Sequence, residues 1–240
     1  MQNILEIKNF SKTYSGGKRA VDNLSLKVEA GDIYGFIGHN GAGKTTTIRA
    51  AVGVMSFEEG QIFVDGHEVR DNPMHCKSVT AYIPDKPELY EYITGIQYLN
   101  YISDIFGLSQ ELRRERITKY ADIFQMTSNL GDLIGSYSHG MKQKTTLIGA
   151  FIHEPKLLVL DEPFIGLDPV ASFDLKKIMT ELVERGNAIF FSSHVLEVVE
   201  KLCNKIAIIK GGKLVSDGET EAVLGDSSLE EIFLEVARGA

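Results

Sequence analysis

Apolar residues in the first third of the chain fall into short runs of two kinds. Residues 6–10 and 24–28 alternate between apolar and polar side chains, and turn-forming residues lie between them at 14–18. This pattern predicts two antiparallel strands with one face in water. Residues 33–37, and further along the chain residues 157–160, are instead largely or wholly apolar, which is typical of strands buried inside a parallel sheet.

From about residue 94 to residue 127 the spacing of apolar residues becomes helical. One apolar stripe at this spacing predicts the core of a helical unit. The stripe consists of Ile96, Leu99, Ile102, Ile105 and Phe106. Ser138 then stands where an N-cap is expected, ahead of a helix predicted to run to about residue 152.

The last third of the chain alternates helical and strand patterns. Helices are predicted at 170–184, 195–202 and 228–238, and strands at 188–191 and 206–209. Alternating strands and helices imply a mostly parallel sheet with helices on both faces. We therefore predict an α/β fold, edged by the antiparallel strands of the first third and interrupted by the helical unit.

Composition narrows the class of protein. With 43% hydrophobic residues among 240, the chain can bury a sizeable core and is not expected to be disordered. Its net charge of −8 disfavours a non-specific nucleic-acid binder, which needs a basic surface. Only two cysteines occur, Cys76 and Cys203, so no disulfide framework is expected. No apolar run approaches the ~20 residues of a transmembrane helix, and we expect no membrane span.

A glycine-rich segment follows the strand predicted at 33–37. Its spacing, a glycine, four residues and then Gly-Lys-Thr, is that of a phosphate-binding loop. Glycines let successive backbone N–H groups point at phosphate oxygens, and the helix that follows adds positive potential. Lys44 adds a full charge near the β- and γ-phosphates, and the Thr45 hydroxyl is placed to bind Mg²⁺. The predicted nucleotide site comprises Gly38, His39, Asn40, Gly41, Ala42, Gly43, Lys44, Thr45 and Thr46.

Two carboxylates follow the apolar strand predicted at 157–160. Ligands bind at the carboxyl ends of strands in open α/β sheets, and Asp161 and Glu162 lie at such an end. Asp161 suits Mg²⁺ coordination, together with Thr45 and water. Glu162 is predicted to orient or deprotonate the attacking water. Either carboxylate alone is compatible with a turn, but the pair combined with a phosphate loop favours catalysis.

These motifs and others in the same order make the chain resemble the ATP-binding subunits of ABC transporters over nearly its whole length. Residues 137–141, Tyr-Ser-His-Gly-Met, occupy the place of the family's Leu-Ser-Gly-Gly-Gln signature. Gly-Leu-Asp at 166–168 matches the D-loop, and Ser-Ser-His at 192–194 ends at the switch histidine. The resemblance is strongest to the exporter branch that serves drugs, antimicrobial peptides or lipids.

The resemblance implies roles that residue chemistry alone does not assign. It implies ATP and Mg²⁺ as cofactors, with Tyr14 stacking on adenine. It also implies that His194 takes part in catalysis with Glu162. Ser138 and the backbone amide of Gly140 become contacts to the γ-phosphate.

The chain departs from the family's pattern at several positions. His139 replaces the signature's first glycine and Met141 its glutamine. Asp85 stands where most members carry the Q-loop glutamine. An aspartate there can reach Mg²⁺ through water, so we include Asp85 among the metal residues, although it adds negative charge. Ile165 replaces a small polar residue of the D-loop.

The resemblance implies one ABC ATPase domain over residues 1–240, with the fold of phosphate-loop NTPases. The nucleotide-binding α/β core, edged by antiparallel strands, is expected at 1–85 and 150–220. The inserted helical subdomain with the signature is expected at 86–149, and a C-terminal helix at 221–240. Tyr98 and Tyr101 are candidates for an outer face of the helical subdomain that contacts a membrane partner.

The family also implies partners and a place in the cell. Two ATPase subunits, most simply a homodimer, are expected to sandwich two ATP molecules and drive a separate transmembrane permease subunit, at the cytoplasmic face of the membrane and without nucleic acid. The expected activity is ATP hydrolysis that powers export. An importer subunit is an alternative, although importers usually carry the Q-loop glutamine. A second alternative is a soluble ABC ATPase acting on nucleic acid or ribosomes, but such proteins usually have coiled-coil insertions or two fused cassettes, and the sequence indicates neither. A third alternative is a phosphate-loop GTPase or kinase, but these proteins have no use for the signature.

Overall fold

The computed structural model describes the backbone of residues 2–238 and the side chains of residues 2–236. The strands are β1 (Asn3–Thr13), β2 (Arg19–Glu29), β3 (Ile33–Ile37), β4 (Glu59–Val64), β5 (His67–Glu68), β6 (Thr80–Ile83), β7 (Leu157–Asp161), β8 (Ala188–Ser193), β9 (Lys205–Lys210) and β10 (Lys213–Glu219). The helices are α1 (Lys44–Ala51), α2 (Pro73–Ser78), α3 (Gly95–Ile105), α4 (Gln110–Ile123), α5 (His139–Phe151), α6 (Pro169–Glu184), α7 (Leu196–Leu202), α8 (Thr220–Leu224) and α9 (Leu229–Arg238). Of the segments predicted at 1–85 and 221–240, residues 1, 239 and 240 lie outside the described part of the chain.

Six strands form the central sheet, in the order β10-β9-β3-β8-β7-β6. Neighbours from β9 to β6 run parallel, whereas β10 pairs antiparallel with β9 at one edge. The mostly parallel sheet predicted from the alternating pattern is therefore confirmed. Because the parallel strands point the same way, the loops that follow β3, β6, β7 and β8 emerge at one edge of the sheet.

A second sheet of four strands, β2-β1-β4-β5, is antiparallel throughout. It contains the two alternating strands predicted at 6–10 and 24–28, which pair with Glu6 opposite Lys27. The turn between β1 and β2 carries Tyr14 and Lys18, so this sheet supplies one wall of the candidate site.

The central sheet is covered on both faces by two separate apolar clusters. Along β7, Leu158 and Leu160 belong to the cluster formed with the helices, while Leu157 and Val159 belong to the cluster formed with the antiparallel sheet and α1. All four side chains are buried. Side chains of a strand alternate between the two faces of its sheet, so burial on both faces requires an uninterrupted apolar run.

Helices α3, α4 and α5 pack together as the predicted helical unit. The N-cap predicted at Ser138 is confirmed, because its Oγ accepts a hydrogen bond of 3.2 Å from the amide of Met141. At the start of α3, Thr94 and Gln97 form a reciprocal capping box. Within residues 2–238, no helix combines the length and the apolar character that crossing a bilayer requires.

Two predictions about α3 are wrong. Tyr98 is not on an outer face, because its ring packs into the cluster with the helices and lies over Gly149 of α5, where the lack of a side chain leaves room. Burial raises the pKa of Tyr98 to about 12. Ile105, by contrast, is 58% exposed, since it lies about 120° around the helix from the buried Leu99. Tyr101 is exposed, as predicted.

Candidate active site

The polar segments that follow four parallel strands meet at one edge of the central sheet. The phosphate loop follows β3, Asp85 follows β6, Asp161 and Glu162 end β7, and His194 follows β8. Most of these residues line a cleft with a volume of 390 Å³. Its walls are Tyr14, Lys18, Ala20, His39, Asn40, Gly41, Gly43, Lys44, Thr45, Thr46, Asp85, Asp161 and Glu162.

The backbone of the phosphate loop is tightly constrained. Gly43 has a φ of 115°, and an added Cβ would lie 2.7 Å from the carbonyl oxygen of Ala20, so only glycine fits there. Ala42 is fully buried, and its carbonyl oxygen accepts a hydrogen bond of 2.9 Å from the amide of Gly212. Among the described residues, no side chain caps the N-terminus of α1. The first N–H groups of α1 therefore remain available to an anion.

Lys44 lies folded back on the loop that carries it. Its Nζ donates a hydrogen bond of 2.5 Å to the carbonyl oxygen of Gly38, and the residue is buried. Burial lowers the pKa of Lys44, whereas the negative charges of Glu162 and Asp161 favour its protonated form. A phosphate in the cleft would favour the charged ammonium further. The predicted role of Lys44 beside the β- and γ-phosphates is compatible with this position.

Asp161 joins three segments at the floor of the cleft. Thr45 Oγ1 donates a hydrogen bond of 2.9 Å to Asp161 Oδ2, and Ser192 Oγ donates one of 2.5 Å to Oδ1. The same Ser192 hydroxyl accepts a hydrogen bond of 3.2 Å from the amide of Glu162. Because both oxygens of the buried Asp161 carboxylate have partners, its orientation is set by the fold.

The side-chain oxygens in the cleft are suitable ligands for Mg²⁺. The hydroxyl of Thr45 and the carboxylates of Asp161 and Asp85 offer oxygen ligands only, which are the ligands that Mg²⁺ prefers. Within residues 2–236, no three acidic, histidine or cysteine side chains converge as a metal centre. Water and phosphate oxygens would therefore complete the coordination, as is usual for Mg²⁺ in nucleotide sites. The three metal ligands stay predictions.

Glu162 and His194 are in direct contact. His194 Nδ1 lies 2.8 Å from Glu162 Oε2, and the backbone amide of His194 donates to the same oxygen at 3.2 Å. Glu162 has a φ of 54°, a left-handed conformation that is uncommon outside glycine and that often occurs at functional sites. A carboxylate held in this way beside a phosphate site can act as a general base.

Tyr14 lies in the wall of the cleft, and the signature residues lie elsewhere. The Tyr14 hydroxyl is 3.1 Å from Thr46 Oγ1, and 44% of the residue is exposed, which leaves the ring accessible to a base. Ser138 and Gly140 do not line the cleft within the described part of the chain. They begin α5, where an added Cβ on Gly140 would lie 2.8 Å from the carbonyl oxygen of Gly166 in the D-loop.

Three residues of the site have no predicted role. Ser192 orients Asp161 and Glu162, and two consecutive serines at the end of an apolar strand are the signal that could have identified it. Lys18, in the turn after Tyr14, and Ala20, in β2, also line the cleft. No spacing rule points to them, because the antiparallel sheet brings them to the site.

Comparison with known proteins agrees with this geometry. The family profile described as "ABC transporter" matches residues 21–165. The chain is 30% identical to the lipopolysaccharide export system ATP-binding protein LptB of Haemophilus influenzae, over 96% of this chain and 97% of the relative. It is 35% identical to the bacitracin transport ATP-binding protein BcrA of Bacillus licheniformis, over 90% of this chain and 70% of the relative. A solved structure described as an ATP-binding subunit of an ABC transporter superposes with a TM-score of 0.93 at 32% identity, covering 98% of this chain and 99% of that one.

Proposed function

Because the chain belongs to the ABC transporter family as an ATP-binding subunit, we propose that it powers export of a substrate through a separate membrane subunit. The family's activity is ATP hydrolysis, and the chain is a nucleotide-binding ATPase of a transporter. The proposal adds the direction of transport, the partners and the residues that act.

The observation that carries the proposal is the convergence of the phosphate loop and the β7 carboxylates on one cleft. In it, the phosphates of ATP bind the N-terminus of α1 and the Lys44 ammonium, and Tyr14 stacks on the adenine. Thr45 and Asp161, with Asp85 acting through water, are the residues that would hold Mg²⁺. The metal would supply charge neutralisation on the phosphate oxygens.

Hydrolysis requires a water activated at the γ-phosphate. Glu162 accepts the proton of that water, and His194 keeps the carboxylate in place through its 2.8 Å contact. Both contacts from His194 go to Oε2, so the other carboxylate oxygen can receive the proton. A base of this kind typically contributes about 10²–10⁴-fold to the rate.

A second copy of the chain completes the site. Ser138 and the amide of Gly140 lie at the N-terminus of α5, which favours anions, but they lie outside the cleft of their own chain. Head-to-tail pairing of two chains would place these groups against the γ-phosphate held by the partner, with two ATP molecules between the subunits.

An apolar face on the helical unit suits the membrane subunit. Tyr90, Tyr101 and Ile105, here termed the aromatic face, are 61%, 47% and 58% exposed. The rings of Tyr90 and Tyr101 meet edge to face at 6.0 Å. Exposed apolar patches mark contact sites, and one member of this patch, Tyr90, is close in sequence to Asp85 in the cleft. We assign it to a cytoplasmic segment of the membrane subunit, which places the chain at the cytoplasmic face of the membrane as a peripheral subunit.

Two features favour export over import. The relatives include a protein named for lipopolysaccharide export. Asp85 also occupies the position where importer subunits usually carry glutamine. The net charge of −8 on the chain disfavours nucleic acid as its partner.

The test is the direction of movement in a reconstituted complex. The tagged chain, isolated with its membrane subunit, is placed in proteoliposomes with the ATPase outside, and a fluorescent phospholipid and a cationic peptide serve as probes. Export predicts ATP-dependent movement of a probe away from the ATPase side, and movement towards it would contradict the proposal. Recovery of the chain with ribosomes or RNA, and with no membrane protein, would favour the soluble alternative.

The aromatic face can be tested in the same preparation. Tyr101→Glu should release the membrane subunit while ATP binding is kept, because a charge would then face an apolar contact. Phe173→Glu on α6, where the phenyl ring is 68% exposed, is the matched control. Equal loss of the membrane subunit in both variants would show that the aromatic face is not the contact.

A further inference from the structure

The signature segment touches the D-loop of its own chain through His139, which stands in place of the signature's first glycine. An added Cβ on Gly166 would lie 2.5 Å from His139 Cδ2 and 2.9 Å from Nε2. The imidazole thus occupies the space that a side chain at position 166 would need. Gly166 also has a φ of 80°, which favours glycine.

The same helix, α5, is tied to both ends of the segment 163–168, which contains the D-loop. Gln143 is almost fully buried, and its Nε2 donates a hydrogen bond of 3.4 Å to the carbonyl oxygen of Pro163. Lys144 Nζ lies 2.7 Å from Asp168 Oδ2. Contacts from α5 therefore fix the first and last residues of the segment 163–168, and His139 packs on its middle.

The segment 163–168 begins directly after Glu162, the proposed general base. Glu162 is bonded to Pro163, so a shift of the D-loop would rotate the Glu162 backbone. The amide of Glu162 is held on its other side by Ser192 Oγ and Ser192 O, each at 3.2 Å. The orientation of the Glu162 carboxylate therefore depends on two supports, the strand end at Ser192 and the D-loop held by α5.

We propose that His139 is a positioning residue for ATP hydrolysis. Its ring packs on Gly166, holds the D-loop against α5, and thereby keeps Glu162 aimed at the attacking water. The inference rests on the role of Glu162 in the proposed function. The imidazole acts here through its flat shape and not by proton transfer.

The shape argument predicts a specific order of activities. His139→Ala should lower kcat about tenfold, because small misplacements of a catalytic group are costly. It should leave the Kd of the single chain for MgATP within about twofold, since His139 is not part of the cleft of its own chain. His139→Phe keeps a flat ring on Gly166 and should retain most of kcat. A purely structural defect would affect ATP binding and would not be rescued by phenylalanine.

Gly166→Ala tests the contact from the other side. It should lower kcat at least as much as His139→Ala does, because the methyl group would meet the ring and the backbone at Gly166 favours glycine. The double variant should be no slower than Gly166→Ala alone, because removal of the ring leaves room for the methyl group. Gly186→Ala is the matched control for backbone strain, since Gly186 has a φ of 86° and nothing within 4 Å of an added Cβ. Gly186→Ala should leave kcat unchanged.

Hydrogen exchange of the backbone amides of residues 164–168 reports the contact without catalysis. Faster exchange in His139→Ala together with a lower kcat supports the proposal. Unchanged exchange, or faster exchange with an unchanged kcat, overturns it, as would strictly additive losses in the double variant. A failure of the proposed function is seen separately, because Glu162→Gln would then hydrolyse ATP at the wild-type rate.

Discussion

Thr45 and Asp161, 116 positions apart in the chain, are joined by a hydrogen bond of 2.9 Å at the floor of the cleft. The bond links the first turn of α1, the helix that follows the phosphate loop, to the end of β7, where the carboxylates lie. A hydroxyl and a carboxylate at this separation can share one cation. The pair therefore offers a direct test of the predicted metal site.

Asp161→Asn should remove the dependence of ATP affinity on Mg²⁺. The amide keeps the size of the side chain but loses the charge that attracts the cation, so the gain in affinity on adding Mg²⁺ should fall about tenfold or more. Isothermal titration with ATP in Mg²⁺ and in EDTA measures this gain. Affinity in EDTA should be kept, and a variant with the full Mg²⁺ dependence would remove Asp161 from the metal site.

Lys44→Ala should abolish tight binding of MgATP. The ammonium is the charge that the loop places at the phosphates, and a charged hydrogen bond contributes about 1.5–3 kcal/mol, or roughly a 10- to 100-fold change in Kd. Titration calorimetry gives the affinity. Lys201→Ala is the control, since that side chain is 74% exposed and pairs only with Glu197 among the described residues. Wild-type affinity in Lys44→Ala would contradict the assignment of the loop.

Glu162→Gln should bind ATP, hydrolyse it about 10²–10⁴-fold more slowly, and accumulate as a dimer. The amide keeps the reach of the side chain but cannot accept the proton, and one fewer negative charge beside the γ-phosphate reduces repulsion in the closed pair. Size-exclusion chromatography with MgATP should show a dimer for the variant and mostly monomer for the wild type. A monomeric variant with normal turnover would exclude Glu162 from catalysis.

Asp85→Gln should leave MgATP affinity within about threefold of the wild type, a change of about 0.6 kcal/mol. The Asp85 side chain is exposed at the wall of the cleft, and we expect it to reach the metal only through water. Its effect should appear in how the membrane subunit changes the ATPase rate, measured in the reconstituted complex. Loss of ATP binding in this variant would show that Asp85 is a direct ligand.

The predictions that held depend on local chemistry. The phosphate loop, the strand before it and the helix after it are contiguous, so the spacing of Gly38, Gly43 and Lys44 was sufficient to place them. The parallel sheet followed from apolar runs and their alternation with helices, and the N-cap at Ser138 followed from its position before a helical pattern.

The features that were not predicted depend on distant parts of the chain. Lys18 reaches the cleft only because the antiparallel sheet lies beside the phosphate loop. Tyr98 is partly buried because Gly149 of another helix leaves space for its ring, and helical periodicity does not contain that information. The contact between His139 and Gly166 likewise joins the start of α5 to the D-loop, and only the folded chain brings these segments together.

The strand β7 contributes its side chains alternately to two apolar clusters that have no member in common. Neither cluster can come apart without exposing one face of this strand, and a pairing slip of one residue would exchange the two sets of side chains. The antiparallel sheet and the helical unit should therefore melt in one cooperative transition, although they lie on opposite sides of the central sheet. A fragment containing only the helices of 86–149 would lack the strand face that covers its apolar side, and would not be expected to keep its shape alone.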